Sequence, residues 1–317
     1  TAHYVDAVSP SPFHPDLRLA ATILPRAAVG PRTLRVVRRL EPLQGRRRPP
    51  SGVDVEAIGP ITVRVHRPPT GGSLPGPALL WIHGGGYLFG SPAQDDSICR
   101  YLARKLGILV AAVAYRKAPE HPYPTPLYDC HDALAWLAAR PDVDPSRLAI
   151  GGASAGGGLA AALALLAWER GEVSPVFQLL SYPMLDDRTV LRTDLDERSF
   201  RLWNNASNRF GWHSYLGRPP GSPEIDGRAV PARHEDLSGL PPAWIGVGTC
   251  DLFHDEDLAY AARLREAGVP VTLDVVEGAF HGFDSVSPRS GVTRRFREAQ
   301  AGALAGGLGL AGAAVRP

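Results

Sequence analysis

An α/β architecture, with a mostly parallel central sheet and helices on both of its faces, follows from three features of the 317-residue chain. Largely apolar runs at residues 78–82, 108–114, 148–151, 176–181 and 243–248 read as core strands, and the uninterrupted run at 78–82 suits a strand buried on both sides. Segments with helical periodicity or rich in Ala and Leu separate them, and repeated strand, helix, strand units build a parallel sheet. Two of these strands also run directly into sharp glycine-rich turns, His83-Gly84-Gly85-Gly86 and Gly152-Ala153-Ser154-Ala155-Gly156.

In chain order, residues 1–45 mix prolines with apolar and basic residues, and only 16–24 and 34–40 look helical. The basic run Arg46-Arg47-Arg48 precedes Pro49-Pro50 and reads as a solvated linker in preference to an anionic-surface patch. Residues 53–57 and 61–66 alternate as strands about a Gly59-Pro60 turn, an opening hairpin. A Gly/Pro-rich loop at 70–77 leads to the first core strand. Helices are expected at 97–106, 126–140, 155–170, 255–267 and 294–304, and a last strand at 271–276. Between 185 and 240 the regularity fails: charges stand beside Phe200, Trp203, Phe210, Trp212 and Tyr215. That stretch reads as an insertion with some helix, lying over the C-terminal edge of the sheet. Most of its aromatics are expected to pack a small core of its own, and one or two to face a substrate. The Gly/Ala tail reaching Val315 is expected to fray.

Composition narrows the classes of function. Hydrophobic residues at 44% and charged residues at 21% are globular values, which argue against a disordered chain and a membrane protein. A net charge of +2 supplies no strong field for nucleic acid or lipid headgroups. Cys99, Cys130 and Cys250 are odd in number and far apart, so neither a disulfide framework nor a zinc site is expected, and a reducing cytoplasm is favoured. No basic and apolar leader pattern opens the chain at Thr1, although the absence of Met leaves room for a removed segment. The longest apolar stretches, 107–115 and 156–168, fall short of the roughly 20 residues that span a bilayer, so no stable membrane insertion is expected.

The chemistry is carried by a few residues. Ser154 fits G-x-S-x-G, a strand-to-helix elbow that lifts a nucleophilic hydroxyl clear of the sheet. The flanking glycines spare the turn from clashes with the adjoining strand and helix. Ala155 then opens a helix, where an N–H without an intrahelical partner and the helix dipole favour a negatively charged oxygen. His83-Gly84-Gly85-Gly86 follows a core strand and brings bare backbone N–H groups close to a reacting carbonyl. A serine hydroxyl is a weak nucleophile until an imidazole accepts its proton, and His281 lies in the loop after the last strand. Asp251 ends the preceding strand; Asp255, Glu256 and Asp257 lie one turn further on and read as capping or surface acids. His83 reads as a brace for its loop, His254 as a surface residue, and Arg116 with Glu120 as a structural pair.

Read together, His83-Gly84-Gly85-Gly86, Tyr115-Arg116-Lys117-Ala118-Pro119-Glu120, Gly152-Ala153-Ser154-Ala155-Gly156, Asp251-Leu252-Phe253-His254-Asp255-Glu256 and His281-Gly282-Phe283 occur in one characteristic order. On these motifs the chain resembles the hormone-sensitive-lipase-like esterases of the α/β-hydrolase superfamily over nearly its whole length. The resemblance implies an α/β-hydrolase core at 51–184 and 241–317, and a helical cap formed from the N-terminal segment 1–50 and the insertion 185–240. It implies Ser154 as nucleophile, His281 as general base and then acid, Asp251 as the group that orients His281, and Gly85, Gly86 and Ala155 as oxyanion donors, with Gly84 serving the turn. The implied activity is hydrolysis of short to medium acyl esters through an acyl-serine, without cofactor or metal, on a small-molecule ester substrate and no nucleic acid. Hydrolysis of an amide or lactone is the near alternative, and a ligand-binding receptor on the same fold the distant one. A homodimer through the sheet edge is compatible with the family. Ala153 departs from the Asp or Thr most often found beside the nucleophile, and Lys117, Phe253 and His254 depart mildly.

Overall fold

A computed structural model describes residues 11–27, 29–45, 49–69 and 74–310. The Arg46-Arg47-Arg48 run, the tail after residue 310 and residues 70–73 of the expected loop lie outside them. The described strands are β1 (Val53–Ile58), β2 (Ile61–His66), β3 (Gly76–Ile82), β4 (Leu109–Ala114), β5 (Val143–Ala153), β6 (Phe177–Ser181), β7 (Ala243–Cys250) and β8 (Val271–Phe280). They form one sheet in the order β1-β2-β4-β3-β5-β6-β7-β8. β1 and β2 pair antiparallel about the Gly59-Pro60 turn, β2 also pairs antiparallel with β4, and every later pairing is parallel.

The helices are α1 (Arg18–Ile23), α2 (Leu34–Gly45), α3 (Asp96–Leu106), α4 (Thr125–Ala138), α5 (Ala155–Arg170), α6 (Asn205–Leu216), α7 (His254–Glu266), α8 (Phe283–Val286) and α9 (Gly291–Gly307). Because strand side chains alternate between faces, each apolar run feeds two cores. Leu80, Ile82, Ile150, Leu180 and Ile245 pack on the face covered by α4, α5 and α7. Their neighbours Leu79, Trp81, Ala149, Leu179 and Trp244 pack on the opposite face with α3 and α9. Every residue of α5 from Ala155 to Ala167 is buried, which is why the sequence there is apolar all round instead of striped.

The strands run longer than their apolar cores: β5 begins at Val143 and β8 continues to Phe280. The insertion after β6 holds short 3-10 turns and the single long helix α6. Its aromatics do not make a separate core. Phe200, Trp203, Trp212 and Tyr215 belong to the main core, where Tyr215 stacks on Tyr87 with centroids 4.0 Å apart.

Candidate active site

β3 and β5 are adjacent and parallel, and after β3 the chain crosses first to β4 on one side and then to β5 on the other. Crevices at the carboxyl ends of strands beside such a reversal are where open α/β sheets bind ligands. Four segments reach this end of the sheet: His83 to Gly86 after β3, Ser154 after β5, Asp251 after β7 and His281 after β8.

Ser154 occupies the left-handed side of backbone space, with φ 57° and ψ −124°, between the last residue of β5 and the first of α5. Its N–H donates to the Ser181 carbonyl at 2.9 Å, and its own carbonyl accepts from Gly158 and Met184, both at 3.0 Å. Gly156 makes the elbow sterically possible: a Cβ there would lie 2.0 Å from the Ile82 carbonyl oxygen and 2.5 Å from that of His83. The same crowding brings the glycine turn beside the serine, since a Cβ on Gly84 would stand 3.2 Å from the Ser154 Cβ.

The hydroxyl of Ser154 lies 2.9 Å from His281 Nε2, and His281 Nδ1 lies 2.8 Å from Asp251 Oδ2. The other Asp251 oxygen, Oδ1, accepts the Phe253 N–H at 3.0 Å. All three residues are buried, at 6%, 7% and 3% exposure for Ser154, His281 and Asp251, so this hydrogen-bonded line is shielded from bulk water. Tyr182 and Phe253 meet the imidazole ring edge-on at 4.9 and 5.2 Å, which fixes its plane. Asp255 is bonded elsewhere, to Arg192 and to His254 Nδ1 at 2.8 Å.

His83, fully buried and stacked 4.4 Å from Tyr115, donates from Nδ1 to the Gly84 carbonyl at 2.7 Å. Burial pushes its pKa down to about 3, so it stays neutral and braces the glycine turn, as its sequence context predicts. The chain reverses direction at Gly85 and Gly86, whose φ values are 124° and 59°. Ala155 is the first residue of α5.

Two expectations need correcting. Arg116 and Glu120 are not partners: Arg116 forms a fork with the buried Asp129 at 2.7 to 3.2 Å, whereas Glu120 pairs with Arg38 at 2.7 Å. The Arg116 guanidinium goes to the buried carboxylate that α4 offers, Asp129, and the exposed Glu120 is left to Arg38 of α2. Glu256 and Asp257 are not surface acids either, being 7% and 0% exposed. Glu256 turns inward to accept the N–H groups of Leu185 and Asp186 at 2.8 and 3.1 Å and the Thr189 hydroxyl, which ties the start of the insertion to α7. Ala153 lines a cavity of about 110 Å³ together with Trp81, Asp95, Tyr182 and Asp284. Asp95 accepts the Trp81 indole N–H there at 2.8 Å, and burial raises its pKa to about 7.

A family model for the alpha/beta hydrolase fold matches residues 79–285, from β3 to just past His281. The chain is an alpha/beta hydrolase of the hormone-sensitive-lipase-like esterase family. The ethyl acetate hydrolase of Pseudomonas putida is 36% identical to this hydrolase over 228 residues, 70% of this chain and 71% of that protein. The carboxylesterase NlhH of Mycobacterium tuberculosis is 36% identical over 247 residues, 73% of each chain. A solved bacterial heroin esterase superposes on the hydrolase with a TM-score of 0.84 at 35% identity, over 94% of this chain and 98% of that one. Among the hydrolase's described residues, no helix is long and apolar enough to cross a membrane.

Two residues at the site carry no sequence motif. Tyr182, just after β6, supports the imidazole and donates its hydroxyl to Asp284 at 2.6 Å. Trp203, one of several aromatics in the insertion, is the one that reaches both the glycine turn and His281. Only its placement separates it from Phe210 or Trp212.

Proposed function

We propose that the chain is a serine carboxylesterase in which Ser154 attacks the ester carbonyl, His281 accepts its proton and returns it to the leaving alcohol, and Asp251 holds the imidazole in the required tautomer. Carboxylic ester hydrolysis is the activity its relatives' names share, and it is the activity of this enzyme. The observation that carries the assignment of roles is the continuous line from Ser154 through His281 to Asp251, with contacts of 2.9 and 2.8 Å. The acyl-serine that forms is released by water activated by the same imidazole. The oxyanion of each tetrahedral intermediate is received by the N–H groups of Gly85, Gly86 and Ala155, the last at a helix N-terminus.

The N-terminal segment and the insertion act together as the cap. The Ser207 hydroxyl of α6 donates to the Val29 carbonyl at 2.7 Å, and the Leu202 N–H donates to the Pro25 carbonyl at 2.8 Å, so the two segments support each other over the site. The substrates are short to medium acyl esters of small molecules. A homodimer through the exposed sheet edge at β8 is the assembly this reading allows, and sedimentation of the purified protein tests it.

The direct test is hydrolysis of p-nitrophenyl esters from acetate to palmitate, with Ser154→Ala as the blank. Turnover that peaks at short chains and vanishes in the variant is expected. A folded native protein that turns over no ester, or a Ser154→Ala variant that keeps a burst of p-nitrophenol, overturns the reading.

A further inference from the structure

Trp203 stands where the two parts of the site that an ester must bridge come together. On one side its six-membered ring lies against Gly86, so that a Cβ on that glycine would be 2.0 Å from Trp203 Cη2 and 2.8 Å from Cζ2. On another side the indole lies 6.4 Å from the His281 ring, centroid to centroid, tilted by 36°. The side chain is 3% exposed, and its Nε1–H donates to Asn208 Oδ1 at 3.4 Å. Gly211 of α6 backs the ring, a Cβ there coming 3.4 Å from Cζ2.

The backbone that presents this ring is held in an uncommon shape. The Trp203 N–H donates to the Arg201 carbonyl at 2.8 Å, and Leu202 between them has φ 65°. That is a γ-turn with a positive φ at its centre, a sparsely populated conformation that persists only where its surroundings over-determine it. The N-terminal segment supplies those surroundings. Pro25 accepts the Leu202 N–H at 2.8 Å, Ala21 accepts from the Arg201 guanidinium, and that guanidinium lies 4.7 Å above the Phe13 ring.

We propose that Trp203 is a specificity-determining residue of this esterase: its indole walls the seat of the reacting ester and sets the largest group that can lie next to the carbonyl. The proposal rests on the assignment of Ser154, His281 and Gly86 given above. An ester whose carbonyl oxygen faces the Gly86 N–H and whose leaving oxygen faces His281 Nε2 holds its carbonyl carbon between those two groups, and so against the indole. The ring cannot swing aside without breaking its bond to Asn208 and leaving the contact with Gly86. The site therefore favours esters that are compact on the side facing Trp203.

The experiment compares native enzyme, Trp203→Leu and Trp203→Ala by kcat/KM in two substrate series. One varies the acyl chain of p-nitrophenyl esters from acetate to octanoate, and the other varies the alcohol of acetate esters from methyl to benzyl. In at least one series the ratio of bulky to compact ester should rise by about 10-fold or more in the alanine variant, the scale on which pockets discriminate by a methylene or two. A smaller rise is expected in the leucine variant. Variants that remain folded yet scale every ester in both series by one common factor overturn the proposal, because a purely structural tryptophan would behave so. If alanine does not fold, the leucine variant decides by the same ratio. Failure of the underlying esterase assignment is seen separately, as native turnover that does not depend on Ser154.

Discussion

His83 and His281 are both buried imidazoles at the carboxyl end of the sheet, and their neighbours alone give them different work. His83 stacks on Tyr115, donates to the Gly84 carbonyl and is held neutral by burial, so it shapes the glycine turn without carrying a proton. His281 has a carboxylate at Nδ1 and a hydroxyl at Nε2, the arrangement that lets an imidazole accept a proton and be stabilised as a cation. Asp251→Asn should keep the fold yet lower kcat by up to about 10⁴-fold, because an amide N–H donating to Nδ1 leaves the ring proton on Nε2, which then cannot accept the serine proton. An unchanged kcat would place the orienting acid elsewhere. Gly156 makes an equally sharp prediction by shape. The atoms a methyl group would meet, 2.0 and 2.5 Å away, are backbone carbonyl oxygens of Ile82 and His83, which cannot rotate out of its path. Gly156→Ala should therefore destabilise by about 1–3 kcal/mol, as overpacked cores do, and lower kcat by displacing the glycine turn. Equal urea midpoints and equal kcat for the two proteins would show that the elbow has slack.

At the scale of elements, the strands and their order of use were legible because strands buried on both faces leave an unbroken apolar record, as Ala78-Leu79-Leu80-Trp81-Ile82 does. Their ends were not: β8 runs on through Glu277 and Gly278, residues that carry no strand signal and lie in a break of register with β7, where the Thr249 hydroxyl accepts the Gly278 N–H at 2.8 Å and the Gly278 carbonyl accepts the His14 N–H at 2.9 Å. The candidate site was legible for a related reason, since each of its residues ends a strand and the glycines around Ser154 record a steric demand. What the sequence could not reveal was the choice of partner among many charges. Arg116 and Glu120 stand close in the chain and still bind different elements. Arg38 of α2 is the hidden member of that arrangement, donating to the carbonyls of Leu88 and Ala118 at 2.7 and 2.5 Å and to Glu120 at 2.7 Å. It locks the N-terminal segment onto the loops that follow β3 and β4. Arg38→Ala should cost about 2 kcal/mol, since hydrogen bonds to charged groups contribute roughly 1.5–3 kcal/mol where they are part-buried. Arg38→Lys should recover little of it, because an ammonium cannot reproduce the fork. Thermal or urea unfolding checks both, and a lysine variant as stable as the native protein would contradict the argument.

For the molecule as a whole, the net charge of +2 conceals two opposed sets of carboxylates. Asp142 and Asp226, each hydrogen-bonded to an arginine, are held down to about 2, so the stability they contribute is present above their ordinary value of 3.8 and is lost as pH falls through about 2. Asp95 and Glu256 behave in the opposite sense. Burial raises Asp95 to about 7 and Glu256 from 4.5 to about 8, and Asp257 is shifted the same way by burial and by its neighbours Glu256 and Asp251. Each of these acids keeps a proton in the folded protein that the unfolded chain has released. The contribution of Asp95 and Glu256 is therefore complete below the unfolded values and is lost as pH rises through about 7 to 8. Glu256→Gln isolates one of them. A glutamine Oε1 can still accept from Leu185 and Asp186, and the Thr189 hydroxyl can turn to accept from its amide, so the link between α7 and the insertion survives without an ionisable group. Followed by urea midpoints from about pH 5 to about pH 9, the variant should lose stability less steeply than the native enzyme on the alkaline side and equal or exceed it at the upper end. Parallel curves for the two proteins would mean that Glu256 is ionised in the folded state throughout that range and that its three hydrogen bonds outweigh its burial.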